Sequence, residues 1–471
     1  MVTQCGGKGI SYFMIINRTL LTSVLSAVLL SQPSLAIAEE KSEGVTLYAG
    51  WSIPEYVTPP PNLPTLRHYF LKDFELLSDS GSGHYRVNPL SNYTDFAMKV
   101  RNNKFLNQQM EDTALLSYLF YENGKVVYDE ISPRHRFGDL YGNNTQHLSN
   151  SVGKSFVSYL VGHAICEGHI DSLEQKVNDW PIIKNTLYHN QNLIDLLNMN
   201  AGDSSYVDDF KGLIPTGRWY NVHSIKSFAD RELNGTQPKK GFQRKHHYNG
   251  LLTNILLNYL DFKTGHQLHD FLKKVFQNRV KIEYPMTMRY NKFARKDNGE
   301  MTDLEISSKE GTAFYVFYLT RYDYLRIAVA MLEDWKQDNC VGQYLKEIFK
   351  NKIQKKRYLN KEKGYRFSPS HYAGQFHLNY YGLEGKNIFG MDGYGGQAIL
   401  IDFDKSRIVA ISSVHADYDY EKLVLAPMKD GKIIGAEEIK SAIHQDYNPD
   451  KDSLSTLAMR LPSKRRLDRS K

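Results

Sequence analysis

Two strand hairpins stand at either end of a long helical stretch, and an isolated hairpin buries too little surface to be stable in water, so a chain laid out this way has to close its ends into one sheet. The first hairpin is ALLSYLFYENGKVVYDE, Ala114 to Glu130, in which two β-type runs flank Glu122-Asn123-Gly124-Lys125. The second has strands Gln397 to Asp402 and Arg407 to Val414 around the turn Asp404-Lys405-Ser406. Between them, helical spacing recurs in QNLIDLLNMNAG, GLLTNILLNYLDF, QLHDFLKKVF and YDYLRIAVAMLEDW. The expected class is α+β: an antiparallel sheet formed by both chain ends, flanked by helices, with a helical subdomain inserted.

The 471 residues, 41% hydrophobic and 24% charged, can build a substantial core in one large domain or two average ones. The start of the chain differs from the rest. Lys8 and Arg18 precede the apolar run LLTSVLSAVLL, Leu20 to Leu30, and SQPSLAIA then places small residues at Ala36 and Ala38. That order predicts a signal peptide over residues 1–38, with Met14 as a start that would suit it, and hence an exported protein, periplasmic or secreted. The apolar run is too short for a membrane span of about 20 residues, and no later segment qualifies. Residues 39–110, which include VTPPPNLPTL and SDSGSGHY, read as an N-terminal extension packing on the main domain, 111–425 as that domain, and 426–471 as a C-terminal segment with a mobile basic tail.

Net charge is +7, but +2 falls within residues 1–38 and +5 within STLAMRLPSKRRLDRSK at the C-terminus, leaving the body between them neutral. The basic balance therefore describes solvated ends and gives no sign of a nucleic-acid groove. Once Cys5 leaves with the signal, Cys166 and Cys340 remain, far apart and without histidines at zinc spacing, so no metal site is expected. Cys166 lies among apolar residues of a helix and reads most simply as a buried free thiol; pairing with Cys340 is the alternative in an exported protein.

Chemistry enters at SNSVGKSF, Ser149 to Phe156. A phosphate-binding loop, G-x-x-x-x-G-K-[ST], would need glycine five places before Gly153, where Leu148 stands, and ATP is scarce outside the cytoplasm. The same stretch holds an S-x-x-K pair, Ser151 and Lys154, and no other lysine in the chain has a serine three places before it. Apolar residues at 152, 156, 157, 160, 161, 164 and 165 predict an amphipathic helix that Ser151 opens and Gly168 closes. One helical turn then brings the Lys154 amine to the Ser151 hydroxyl, where the helix dipole favours negative charge. A serine hydroxyl is a poor nucleophile until a base takes its proton, and lysine is a base only when kept neutral, as desolvation can arrange. The plainer alternative is a serine helix cap beside a solvated lysine.

A second base is offered by RKHHYNGLLTNILLNYL, where Tyr248 precedes a helix, next to His246 and His247. SNSVGKSF, LIDLLNMNAGD, HYNGLLTNILL and DGYGGQAILIDFD, in that order, resemble the serine β-lactamase-related hydrolases, over about Leu115 to Val414. That group includes class C β-lactamases, D-amino-acid peptidases, family VIII carboxylesterases and 6-aminohexanoate-dimer hydrolase, the last being nearest in character. The resemblance implies a β-lactamase/transpeptidase-like fold, with Ser151 as nucleophile, Lys154 as its activating lysine and Tyr248 as the tyrosine of a Y-x-N motif. Here the sequence departs: in Tyr248-Asn249-Gly250 the asparagine comes one place early, which weakens the expectation that Asn249 contacts a substrate amide.

The family's third motif is K-T-G or a variant on an edge strand lining the site. Lys263-Thr264-Gly265 spells it, but joins two helical runs and so reads as a turn. The resemblance instead points to Gly393-Tyr394-Gly395, with the N–H of Gly396 or Gln397 joining that of Ser151 as an oxyanion hole. A plain glycine turn is the alternative there. Asp203 and Tyr394 are candidate wall residues. Lacking a strand lysine to hold a β-lactam carboxylate, the sequence implies small ester or amide substrates, handled without metal or organic cofactor, in preference to efficient β-lactam turnover. No G-x-S-x-G elbow or H-E-x-x-H zinc motif occurs. Two readings stand: an exported serine hydrolase forming an acyl-enzyme on Ser151, or a non-catalytic or penicillin-binding protein of the same fold that recognises cell-wall peptides.

Overall fold

The computed structural model describes residues 82–433 apart from 138–140, 209–211, 214–223, 239–245, 292, 296–300, 304–310, 356–368, 381, 395 and 414–420. The expected signal peptide and basic tail lie outside the described residues. In chain order the strands begin with β1 (Ser82–Val87), β2 (Ala97–Met98), β3 (Leu115–Glu122), β4 (Lys125–Ile131) and β5 (His147–Leu148). Next come a short ribbon of β6 (Val207–Asp208) and β7 (Gly212–Leu213), then β8 (Met286–Asn291), a ribbon of β9 (Phe293–Arg295) and β10 (Met301–Asp303), and β11 (Ala313–Leu319). Last are β12 (Ile353–Gln354), β13 (Pro369–Ala373), β14 (Phe376–Tyr380), β15 (Ile388–Gly393), β16 (Gln397–Asp402) and β17 (Arg407–Ser413). The helices that build the core and the site are α1 (Lys104–Asp112), α2 (Val152–Cys166), α3 (Leu193–Leu197), α4 (Gly250–Lys263), α5 (Arg321–Gln337), α6 (Cys340–Lys350) and α7 (Glu421–Asp430).

The two end hairpins meet as the sequence requires. Asn123 and Gly124 adopt φ of 50° and 86°, the left-handed pair of a two-residue hairpin turn. In the other hairpin, Asp402 Oδ1 accepts from the N–H groups of Asp404 and Lys405, each at 3.0 Å, and shapes the turn between β16 and β17. β17 then pairs antiparallel with β3, from Arg407 opposite Glu122 to Ser412 opposite Ser117. Around this junction the sheet grows to nine strands in the order β12-β13-β14-β15-β16-β17-β3-β4-β2. A separate four-stranded sheet, β1-β8-β11-β5, flanks the helices. Two features exceed the expectation from the end hairpins alone: strands β12 to β14 come from the middle of the chain, and β2 runs parallel to β4.

The central strands read as nearly continuous apolar runs because both sheet faces are covered. Alternate residues go to opposite sides: Leu119, Tyr121, Ile399, Ile401, Ile408 and Ala410 join the helical core with α2, α4 and α5. Tyr118, Phe120, Ala398, Leu400, Val409 and Ile411 pack with residues of α1 and α7 on the far side. The α2 helix is buried over every residue from Val152 to Ala164, so it is a central helix and not the amphipathic one its apolar spacing predicted. Its polar residues are matched internally: Ser155 Oγ donates to the Gln375 carbonyl at 2.7 Å, and Ser158 Oγ lies 2.9 Å from Tyr344 Oη. Gly168, at φ 77°, follows the helix as a left-handed stop.

Cys166 is not a free thiol. It closes a disulfide with Cys340, Cα to Cα 5.7 Å, tying the end of α2 to the start of α6. Sequence distance concealed the pair, since 174 positions separate the two residues and only helix packing brings them together. A cross-link closing so long a loop is worth about 5 kcal/mol on the chain-entropy model. Thiol titration of the unreduced, denatured protein from which Cys5 is absent should therefore find no free thiol, and reduction should lower the urea midpoint. Two reactive thiols without reductant would remove the disulfide from the fold.

Candidate active site

The turn that presents Ser151 is built from both of its neighbours. Ser149 N–H donates to the Phe317 carbonyl at 2.7 Å, and Ser149 Oγ accepts from the Phe317 N–H at 3.0 Å, so the chain is clamped to β11 just before Ser151. Asn150 then takes φ of 45°, a left-handed conformation that asparagine tolerates better than most residues, and swings the chain from strand into helix. Ser151 occupies the N-cap of α2 with φ −71° and ψ −12°, yet its side chain makes no capping bond. The hydroxyl is free for another partner.

That partner is Lys154. Its Nζ donates to Ser151 Oγ at 2.8 Å and to Tyr315 Oη at 2.9 Å. The amine also sits over two aromatic faces, 4.1 Å from the Tyr315 ring centroid and 4.8 Å from that of Tyr248. Lys154 is 2% exposed. Burial pulls its pKa down from the usual 10.5 to about 7, so the neutral amine is populated near neutrality. A neutral amine has a lone pair to accept the Ser151 proton, which the solvated lysine of the alternative reading would lack.

Tyr315 is the residue that sequence reasoning missed. It lies on β11 at an irregularity: Ala313 faces Tyr290 of β8, but Phe317 faces Met288, so residues 314–316 bulge out of register. Bulges re-aim side chains, and simple alternation cannot place a residue inside one. The bulge is held from α4, where Asn254 Oδ1 accepts from the Tyr315 N–H at 3.3 Å and Asn258 bonds both the N–H and the carbonyl of Ala313, at 2.9 and 2.8 Å. Two asparagines four apart on a mostly apolar helix were the available signal, because buried amides require partners. Gly153 makes the approach possible: a Cβ there would collide with the Tyr315 carbonyl oxygen and lie 2.8 Å from Ser149 Oγ.

The other expected residues divide. Tyr248 reaches the site, turning its ring towards the Lys154 amine, while Tyr315 supplies the hydroxyl bonded to that amine. Asn249 does not reach a substrate: fully buried, it caps α4 through Oδ1 to the Leu252 N–H at 3.0 Å and donates from Nδ2 to Asp203 Oδ2 at 3.1 Å. Asp203 is equally buried, also accepts from Tyr188 Oη at 3.0 Å, and is structural support beneath the Tyr248 loop, not a wall. Burial raises its pKa. The departure from Y-x-N thus has a physical reading, for the early asparagine is placed where a helix cap is needed.

Gly393 abuts the Ser151 turn, since a Cβ on it would lie 2.7 Å from the Ser149 carbonyl oxygen. Asn150 Nδ2 donates to the Tyr394 carbonyl, and Tyr394 is 54% exposed. Gly395 lies outside the described residues. Gly396 N–H donates to the Gly393 carbonyl at 3.1 Å within its own turn, so it is not aimed at a substrate oxygen. Gln397 buries its side chain, with Nε2 donating to the Ser413 carbonyl at 3.3 Å. β15, which leads into this turn, is not the expected edge strand: it pairs with β16 throughout and with β14 at Gly390 and Phe389. Its end at Met391 to Gly393 is left without β14 pairing and faces α2, which is how an inner strand still flanks Ser151.

No family model and no curated protein matches the sequence. Solved structures do. A putative 6-aminohexanoate-dimer hydrolase from Bacillus anthracis superposes with a TM-score of 0.52 at 16% identity, covering 80% of this chain and 94% of that one. A class C β-lactamase from Rhodobacter sphaeroides gives 0.45 at 13% identity over 67% of this chain and 93% of its own. A penicillin-binding protein from Bacillus halodurans gives 0.43 at 12% identity over 74% and 100%. The chain has the β-lactamase/transpeptidase-like fold, which the first of these superpositions carries.

Because the strand behind Gly153 cannot recede without losing the Ser149 and Asn254 bonds, Gly153→Ala should destabilise the fold by about 1–3 kcal/mol, the usual range for overpacking. Chemical denaturation measures this; an unchanged unfolding midpoint would mean that the close approach is not required.

Proposed function

We propose that this protein is an exported serine hydrolase that cleaves small esters or amides through an acyl-enzyme on Ser151. The observation that carries the proposal is the 2.8 Å contact between Ser151 Oγ and a lysine amine whose pKa burial holds near 7. The neutral Lys154 amine takes the Ser151 proton as Oγ attacks the substrate carbonyl. The resulting ammonium returns that proton to the leaving oxygen or nitrogen as the tetrahedral intermediate collapses. Water, deprotonated by the same amine, then releases the acid and restores Ser151. Tyr315 Oη, 2.9 Å from Lys154 Nζ, orients the lone pair and offers a proton path, while the Tyr248 ring stabilises the transient ammonium through its face. The Ser151 N–H at the start of α2 is one oxyanion donor in this scheme, and the helix dipole adds to it. The Cys166–Cys340 disulfide supports export, since such bonds persist in oxidising compartments. Among the described residues no helix is long and apolar enough to cross a membrane.

A fluorophosphonate probe should add one adduct to the protein by intact mass and none to Ser151→Ala; an unmodified wild type would overturn the assignment in favour of a binding protein. Lys154→Ala should lower kcat by about 100- to 10,000-fold, the usual weight of a positioned general base. The active form carries a neutral amine, so kcat/KM should rise with pH through an inflection near 7 and level off above it. A profile that falls across this range would exclude Lys154 as the base.

A further inference from the structure

A second polar cluster lies one aromatic ring away from Lys154. The β13–β14 hairpin carries Tyr372 and His377 to Tyr248, whose ring centroid is 6.0 Å from Tyr372 and 6.1 Å from His377. His246 stacks against Tyr372 at 4.7 Å between centroids. Lys355, which follows β12 and is 2% exposed, has its Nζ 2.6 Å from His377 Nδ1 and 5.6 Å from the Tyr372 centroid. When Lys355 is protonated it donates here, and the neutral imidazole's proton then sits on Nε2.

Two polar atoms of the cluster are unmatched. Tyr372 Oη, on a side chain with no exposure, and the buried His246 Nε2 have no hydrogen-bond partner among the described residues. Buried polar groups are nearly always satisfied, and each exception calls for an explanation. Nothing in the catalytic scheme uses these atoms. Burial lowers the Lys355 pKa to about 7, and the exposed Asp392 on β15 opposes that shift, so the amine takes up a proton readily when an anion approaches; the phenol and the imidazole stay unmatched. A hydroxyl, a lysine amine that an anion would hold protonated and two imidazoles together offer donors and one positive charge, and the group that answers all of them is an anionic acceptor with two oxygens. Tyr248 and His377 are only partly covered, and the Tyr248 ring also stands beside the Lys154 amine, so the cluster adjoins the Ser151 site.

We infer that Lys355, Tyr372, His246 and His377 form a carboxylate-binding subsite of the Ser151 cleft, so that the preferred substrates are small esters or amides whose acyl portion carries a free carboxylate. The inference rests on the serine hydrolase reading for its substrate class. The cation comes from outside the strand that precedes Gly393. Lys355 replaces no residue of the Ser151, Lys154 and Tyr315 group, so anion recognition and proton transfer fall to separate lysines.

The test compares mono-p-nitrophenyl glutarate with p-nitrophenyl valerate, esters of similar length with and without the terminal carboxylate. Wild type should favour the glutarate ester at least tenfold in kcat/KM. Lys355→Met and Tyr372→Phe should each reduce that preference several-fold, whereas Lys355→Arg should retain part of it. Calorimetric binding of free glutarate to Ser151→Ala, with and without Lys355→Met, reports on the subsite in the absence of turnover. Equal rates on the two esters, or a preference untouched by both substitutions, would overturn the subsite even if the fluorophosphonate still labels Ser151. Absent labelling together with Lys355-dependent glutarate binding would instead overturn the hydrolase reading and keep the anion site. If Lys355→Met fails to fold, Tyr372→Phe, which conserves the ring and removes only the unmatched hydroxyl, decides the matter.

Discussion

A primary amine buried to 2% exposure between a helix and a strand is the constraint on which the rest of the site depends. Desolvating an ammonium is costly, and the protein answers by shifting Lys154 towards its neutral form and surrounding it with two hydroxyls and two aromatic faces. Each of those partners has its own support. Ser151 is aimed by the left-handed Asn150 and by the Ser149 clamp on β11. Tyr315 is aimed by a bulge whose backbone is bonded to the amides of α4, and only a glycine at 153 lets that bulge come close enough. The chemistry of the lysine is thus a consequence of helix-to-strand packing, and a change of about one methyl group at position 153 propagates to it.

The same economy connects the nine-stranded sheet to the cleft. The β13–β14 hairpin turns at Gly374 and Gln375, both with positive φ, and its tip is inserted among the helices. Gln375 is bonded to three of them: it accepts from Ser155 Oγ of α2 at 2.7 Å and from Thr253 Oγ1 of α4 at 2.8 Å, and its Nε2 donates to the Leu197 carbonyl of α3 at 2.8 Å. A two-residue turn with such anchors gives a rigid arm, and Tyr372 and His377 ride on it. The polar cluster beside Tyr248 is therefore held by the sheet, whereas the Ser151 and Lys154 pair is held by α2, and the two meet across a single tyrosine ring.

Much of this was legible in the linear chain. The Asn123-Gly124 turn, the strands at 397–402 and 407–413, the helix opened by Ser151 and the turn at Lys263-Thr264-Gly265 are all local outcomes of turn chemistry and periodicity. The S-x-x-K spacing was legible for the same reason, since three residues make about one helical turn. Other expectations failed where a local rule met a distant neighbour. Asn249 and Asp203 look like exposed loop residues until α4 and Tyr188 bury them. Gly396 looks free until its own turn takes its N–H. α2 looks amphipathic because its polar residues are evenly spaced, yet Gln375 and Tyr344 satisfy two of them inside the core.

What the amino-acid sequence determined by itself is the layout and the serine–lysine pair: two end hairpins that join, a helical insertion between them, and a serine one turn ahead of a lysine. These depend on interactions within a few residues, which a linear pattern records. The tertiary structure alone decided that the lysine is desolvated, that Tyr315 supplies a hydroxyl bonded to its amine, that Cys166 meets Cys340, and that Lys355, Tyr372, His246 and His377 converge. Burial, bulge register and the meeting of residues far apart in the chain are properties of packing, and no periodicity encodes them because each depends on atoms contributed by several separate segments.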